Sequence, residues 1–249
     1  MGVDEMTHQV YIRAAALFNG SGKDNACLKR HLKTQYHLDA RRFSRLTLLT
    51  LAGSLQLSQQ QLPKDTAVYW GGTFSSPSVF NEMMGNVFQQ QIAKPFDFLA
   101  NLHNAPAFHT AAALCLNGVT IFQPVGIEPE SWGKPLLLAA NHVLQNGGSA
   151  LVGWSHEAAE GSREREGCCC MYLSCGNSGA DGEPQINISH AEQGAAEWRP
   201  ACSGLMDVVS EWFDCLAEKK NRIRIAAGGN IALEIQSFGG LKLLASTEW

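Results

Sequence analysis

An α/β fold is predicted by three features of the sequence. Short apolar runs of strand length, bounded by Gly, Pro, Asn and Ser, recur along the chain. Longer segments with apolar residues at helical spacing lie between them. Hydrophobic residues make up 45% of the 249 residues, enough for a substantial core. No linker, repeat or low-complexity tract divides the chain, so residues 1–249 are expected to form a single domain.

Gln9–Leu17 reads as the first strand, and Asn19-Gly20-Ser21-Gly22 as a turn. Leu38–Leu57 has the spacing of an amphipathic helix, with Phe43, Leu46, Leu49 and Leu57 inward and Arg41, Arg42 and Arg45 opposite. Pro63 ends that segment. Thr66–Trp70 reads as a short buried strand running into Gly71-Gly72-Thr73-Phe74 and a Ser/Pro corner. Ser78 is placed to cap a helix from Val79 to about Ile92.

Lys94-Pro95 breaks that helix and opens the stretch on which the functional question turns. Pro95–Leu102 reads as an apolar strand. His103-Asn104-Ala105-Pro106 forms a sharp corner, and Ala107–Leu116 a helix closed by Asn117-Gly118. Gly126–Gly133 reads as loop, Lys134–Gln145 as helix and Ser149–Trp154 as buried strand. Cys168–Ser174 and Gln185–Ser189 are strands. Gly204–Lys219 is a helix with Leu205, Val208, Val209, Trp212, Phe213 and Leu216 on one face. Asn221–Ala227 and Ile231–Phe238 form a closing hairpin around Gly228-Gly229.

Charged residues are only 17% and the net charge is −4, which argues against nucleic acid or an anionic membrane as partner. A surface with so little charge points to cover by another protein. No apolar run is long enough to span a membrane. Asp4 and Glu5 stand where a signal peptide carries basic residues, so a cytoplasmic protein with reduced thiols is expected.

Cys168, Cys169 and Cys170 are adjacent, and neighbours on a strand face opposite ways, so no metal site is expected from them. Gly153-Trp154-Ser155-His156-Glu157 sets a Ser beside a His after a strand. The last Gly of a nucleophile elbow is missing there, and a strand end is the simpler explanation. His109 fits a core histidine. The His103–Ala105 corner has the layout that presents a nucleophile at a helix N-terminus, yet it holds no Ser, Cys or Thr. Cys115 is about ten residues on, roughly 15 Å along a helix, and out of reach.

Ala40–Leu46 (ARRFSRL), Ala67–Thr73 (AVYWGGT), Ala100–Leu114 and Leu136–Gly153 (LLLAANHVLQNGGSALVG), in this order, resemble the N-terminal half of the β-ketoacyl synthases, in the thiolase-like superfamily. The resemblance runs from about Val10 to Leu173; residues 1–175 match best, and 176–249 look shortened and divergent. His103-Asn104-Ala105 resembles the S-V-H-N-A of a divergent group of ketosynthase-like proteins. Those are chain-length-factor-like partners in aryl polyene and related polyketide or fatty acid pathways.

The resemblance implies a truncated thiolase-like fold with helices layered around a mixed, five-stranded-type sheet. It puts Ala105 in the nucleophile's place and leaves both of the family's catalytic histidines unmatched, His190 included. It therefore implies a non-catalytic subunit that pairs with a full-length β-ketoacyl-ACP synthase and, through it, serves an acyl carrier protein, with no cofactor. The Pro95–Leu102 strand would lie at the dimer axis with Phe96, Phe98, Leu99 and Leu102. Phe80, Met83, Met84 and Phe88 would pack across the same interface, and Phe74, Val79 and Phe108 would lean on the partner's acyl tunnel. The competing expectation is a self-contained enzyme, either a hydrolase using Ser155 or an acyltransferase using Cys115 or one of Cys168–Cys170.

Overall fold

Side chains alternate along each strand, and here both sides of the alternation are apolar. In β2 (Ala67–Gly72), Ala67 and Tyr69 enter one core while Val68 and Trp70 enter another. In β5 (Gly167–Cys175), Cys169 and Met171 share the first core, and Cys168 and Cys170 the second. A sheet with two apolar faces must be covered on both. The computed structural model, which describes residues 9–73, 75–126, 128–176, 183–190, 204–217, 222–227, 231–236 and 243–245, shows that α/β/α layering.

Among the described residues there is one sheet of nine strands, in the order β3-β2-β4-β5-β1-β6-β8-β7, with β9 beside β1. The first five are β3 (Thr120–Pro124), β2, β4 (Ser149–His156), β5 and β1 (Val10–Asn19). β2 runs parallel to β3 and β4, while β5 is antiparallel to both β4 and β1. This is the expected five-stranded mixed sheet. It continues through β6 (Gln185–His190), β8 (Ile231–Gln236) and β7 (Arg222–Ala226), all antiparallel neighbours, and β9 (Leu243–Ala245) lies parallel to β1.

A register shift at Arg13 switches the facing of β1: Val10 and Ile12 point into one core, Ala14, Ala16 and Phe18 into the other. The second core is closed by α1 (Asn25–Tyr36), α2 (Arg45–Ser54) and α5 (Ala105–Ala113). The first is closed by α7 (Lys134–Asn146) and α8 (Leu205–Ala217).

Several expected boundaries move. The Leu38–Leu57 helix begins only at Arg45, because Ser44 is extended and its hydroxyl accepts from the Thr47 amide at 3.2 Å. Arg41 and Arg42 thus precede the helix, and Arg45 is paired with Glu166 rather than lying on a common solvated face with them. Helix α1 was not foreseen; Asp24 caps it, accepting from the Cys27 amide at 2.7 Å, and the buried Leu28 and Leu32, with the half-buried Tyr36, anchor it. The turn Gly228-Gly229 of the closing hairpin and Phe74 lie outside the described residues, as does the side chain of His190.

Candidate functional site

Between β2 and α5 the chain leaves the body as an arm. Helix α3 (Pro77–Met84) starts with Pro at its first turn, passes into a single π turn at Gly85–Gln89, and is followed by α4 (Pro95–Ala100). Neither α3 nor α4 has one fully buried residue. The arm is held together by Asn86, which is buried. Its Nδ2 donates to Asp97 Oδ2 at 2.8 Å, and its carbonyl accepts from the Ile92 amide at 2.9 Å. The loop closes on itself where the Ser76 amide donates to Asn101 Oδ1 at 3.3 Å.

The arm's apolar residues face outward. Phe88 is 68% exposed, Phe96 64% and Phe98 62%; Leu99, Ile92, Phe80 and Leu102 are exposed too, and Met83, Met84 and Val79 are half-buried. The Arg42 guanidinium lies 5.0 Å from the Phe96 ring centre. All eight residues expected at an interface are therefore on one excursion, but the strand expected at Pro95–Leu102 is absent. Pro95 and Asp97 favour a helical first turn, and among the described residues no neighbouring strand offers the hydrogen bonds that extended backbone needs.

The corner His103–Ala105 consequently joins two helices. Asn104 begins α5 without a side-chain cap, and the Ala105 amide donates to the Leu102 carbonyl at 3.0 Å. An amide so engaged is not available as an oxyanion donor. Ala105 is 9% exposed, whereas Phe108 stands out in solvent. The His109 ring packs 4.3 Å from Phe43 and 5.4 Å from Phe108, and burial holds its pKa below the usual histidine value.

Strand, turn and helix follow each other one element later, at β3, α6 (Pro129–Trp132) and α7. Between Pro124 and Lys134 the one Ser, Thr or Cys is Ser131. It is buried, accepting from the Gly126 amide at 3.0 Å and donating to the Glu128 carbonyl at 2.7 Å. That hydroxyl fastens the turn. Sequence reasoning missed β3 because it is short and three of its five residues are exposed, so the alternation that marks a buried strand is absent.

β3 forms one end of the sheet among the described residues, parallel to β2 on its inner side. Val119 and Ile121 are exposed there, and the Phe122 ring lies 5.6 Å from His103. The Phe122 ring thus joins the corner to the strand edge on the α5 side of the sheet, while Ile121, opposite Tyr69, lies on the α7 side of the same edge. The far end of the sheet differs: Gly133, at the end of α6, is packed so closely on β7 that a Cβ would lie 2.3 Å from the Ala226 carbonyl oxygen.

The other candidates are interior. Ser155 is 1% exposed; Trp70 Nε1 donates to its Oγ at 2.8 Å, and Thr50 Oγ1 lies 2.7 Å away. His156 points instead to Glu164, with Nε2 3.0 Å from the carboxylate. Cys168, Cys169 and Cys170 are buried thiols, and burial pushes the pKa of Cys168 and Cys169 well up. Cys115 is exposed at the end of α5, in the left-handed region at φ 56°. Among the described residues no His, Cys, Asp or Glu cluster is placed to hold a metal ion, and no helix is long and apolar enough to cross a membrane.

No protein-family model and no curated protein matches the chain. Solved structures do. The chain is similar to a chain of the ketosynthase ApeO in complex with its chain length factor ApeC from Xenorhabdus doucetiae, with a TM-score of 0.58, 13% identity, and 93% of this chain and 100% of that chain covered. It is similar to AntDE:AntF, a type II polyketide synthase acyl carrier protein in complex with its ketosynthase bound to the hexaketide. There the TM-score is 0.59 at 10% identity, covering 94% of this chain and 100% of that one. The ishigamide ketosynthase/chain length factor matches at a TM-score of 0.51 and 11% identity, over 77% of this chain and 65% of that one. The fold is thus the thiolase-like ketosynthase fold, and the two longer matches include part of the chain beyond Cys175.

Proposed function

We propose that this chain is a ketosynthase-like subunit without condensing activity of its own, which pairs with an active β-ketoacyl-ACP synthase in the manner of a chain length factor. The observation that carries the proposal is the surface of the arm together with the edge of β3, which among the described residues has no partner strand on its outer side. An apolar edge strand left unpaired is a site for strand addition by another chain. Beside it, the exposed side chains of the arm, Phe108 and β3 offer on the order of 800 Å², the share of one partner in a standard interface. In this scheme β3, and not Pro95–Leu102, is the strand that meets the partner.

Neither corner supports a nucleophile. Ala105 has no reactive group and its amide is engaged, while Ser131 is tied into its turn. Ser155 is sealed in the core. The substrate is then an acyl chain carried by an acyl carrier protein and held by the partner. Val79 and Phe108 would stand at the far end of the partner's tunnel, where large side chains shorten the product and small ones lengthen it. The setting is cytoplasmic polyketide or fatty acid assembly, with an aryl polyene pathway as the specific assignment. The test is co-expression with a ketosynthase: a stable complex is expected, and a chain that purifies alone in every combination would overturn the proposal.

A further inference from the structure

We propose that Glu157 is the positioning residue of this surface: its buried carboxylate fixes the direction in which the α3–α4 arm leaves the body, and partner association depends on it. This rests on the arm being a partner surface. Glu157 follows β4, a strand paired on both sides within the sheet. It is 1% exposed, and a buried carboxylate is kept only where it is well bonded. Its partners are on the arm. Ser76 Oγ donates to one oxygen, and the Ser78 amide donates to the other at 2.9 Å.

The cap expected from Ser78 is thus supplied from outside the helix. Ser76 holds the capping position of α3 with extended backbone, yet its hydroxyl caps no helix amide and, within the helix, reaches only the Ser78 hydroxyl, at 3.5 Å. The carboxylate takes over, and the positive end of the helix favours it there. Arg45 adds a favourable charge. It is held in place by Glu166, by Asn25 Oδ1 at 2.8 Å and by the Lys23 carbonyl at 2.7 Å, and it attracts Glu157. Arg45 and Glu157 line one cleft of about 500 Å³ together with Ser78 and Asn81 of the arm.

Among the described residues, other side-chain ties between arm and body are few. The Ser76–Asn101 bond joins the arm to itself, and Arg42 meets Phe96 only at the surface. The two bonds to Glu157 therefore carry a large share of the arm's orientation. An arm that samples many directions presents the binding-competent one less often, and apparent affinity falls by that fraction. The loss appears in the association rate, because the contacts of the formed complex are unchanged.

The test combines hydrogen exchange on the isolated chain with binding kinetics to a co-purifying ketosynthase. Glu157→Gln is expected to speed exchange roughly tenfold across residues 77–102 while β4, β5 and α7 stay protected. It is expected to slow association roughly tenfold with dissociation within about twofold. Unchanged exchange in the arm, or a loosened arm with unchanged association, overturns the proposal. Should Glu157→Gln disturb the whole fold, Ser76→Ala decides: it removes one donor and leaves the carboxylate, so exchange should rise about threefold in the arm alone. No rise there is equally fatal. If the unaltered chain binds no ketosynthase, the proposed function fails, and the exchange data still decide whether Glu157 holds the arm.

Discussion

Phe98→Ala separates an interface residue from a core residue. Phe98 sits on α4 and is 62% exposed in the chain alone. A Phe side chain covers ~200 Å², so on the order of 120 Å² of apolar surface awaits burial. At ~25 cal/mol per Å² that corresponds to about 3 kcal/mol of binding free energy. One factor of ten in affinity is about 1.4 kcal/mol, so truncation should weaken the complex roughly 100-fold if the ring is fully covered, and roughly 30-fold if a rim of it stays wet. The isolated chain should hardly notice, with stability changed by about 0.5 kcal/mol or less, because most of the ring lies in solvent and Ala suits a helix. Calorimetric titration of a ketosynthase measures the first quantity and urea unfolding the second. An affinity within threefold of the original, or a loss of more than about 2 kcal/mol in the isolated chain, would refute the reasoning.

Ser155→Ala should destabilise the chain by about 1–3 kcal/mol in urea unfolding, because it orphans the buried Trp70 indole N–H, and a serine-directed acyl probe should label neither form. Ala105→Cys should create no condensing activity in the isolated chain, measured as β-ketoacyl product from an acyl and a malonyl thioester, since the local amide is already donated to Leu102. Thiol alkylation should reach Cys115 rapidly and Cys168 and Cys169 only on unfolding. The raised pKa of these two buried thiols means the unfolded chain ionises first. Their contribution to stability is therefore whole below the ordinary thiol value of 9.0 and is lost as pH rises past it, which unfolding midpoints between pH 8 and 10 would report.

Histidines act in the opposite sense. Burial, aided by the charge of Lys23, lowers His31 to about 4, and burial lowers His109. The unfolded chain takes up these protons first, so stability is present above the ordinary value of 6.5 and declines as pH falls from there towards 4. Both rings are half-buried, so solvent screening reduces the effect to on the order of 1 kcal/mol, visible in unfolding midpoints measured at pH 7 and pH 4.5.

Much of the fold was legible because two periodicities are strong in this chain. β2, β4, β5, α7 and α8 carry apolar residues at strand or helix spacing over their whole length, and each lies within a few residues of its expected place. What failed was local chemistry without periodicity. Helix α1 has two buried residues, so its signal was an Asp cap and little else. β3 is an edge with alternation blurred by exposure. Pro95–Leu102 reads as a strand because Phe96 and Phe98 alternate, but a strand needs a neighbour, and sequence alone does not say whether one is there.

The surface residues were legible in identity and not in geometry. Phe80, Phe88, Phe96, Phe98 and Leu99 are exposed on helical turns, and Leu102 in the connection that follows α4, rather than on a helix and a strand. Glu157 was passed over because it stands in a polar run whose neighbours are loop. Only its position opposite Ser76 and Ser78, far away in sequence, reveals what it holds.

Whether this chain acts as the paired subunit of a ketosynthase is decided by the mass of the complex in solution. Light scattering on the co-expressed proteins should give one copy of each chain, and Ile121→Lys on the edge of β3 should return both to separate peaks. A chain that runs by itself beside the ketosynthase, or a complex that survives Ile121→Lys together with Phe98→Ala, would contradict it.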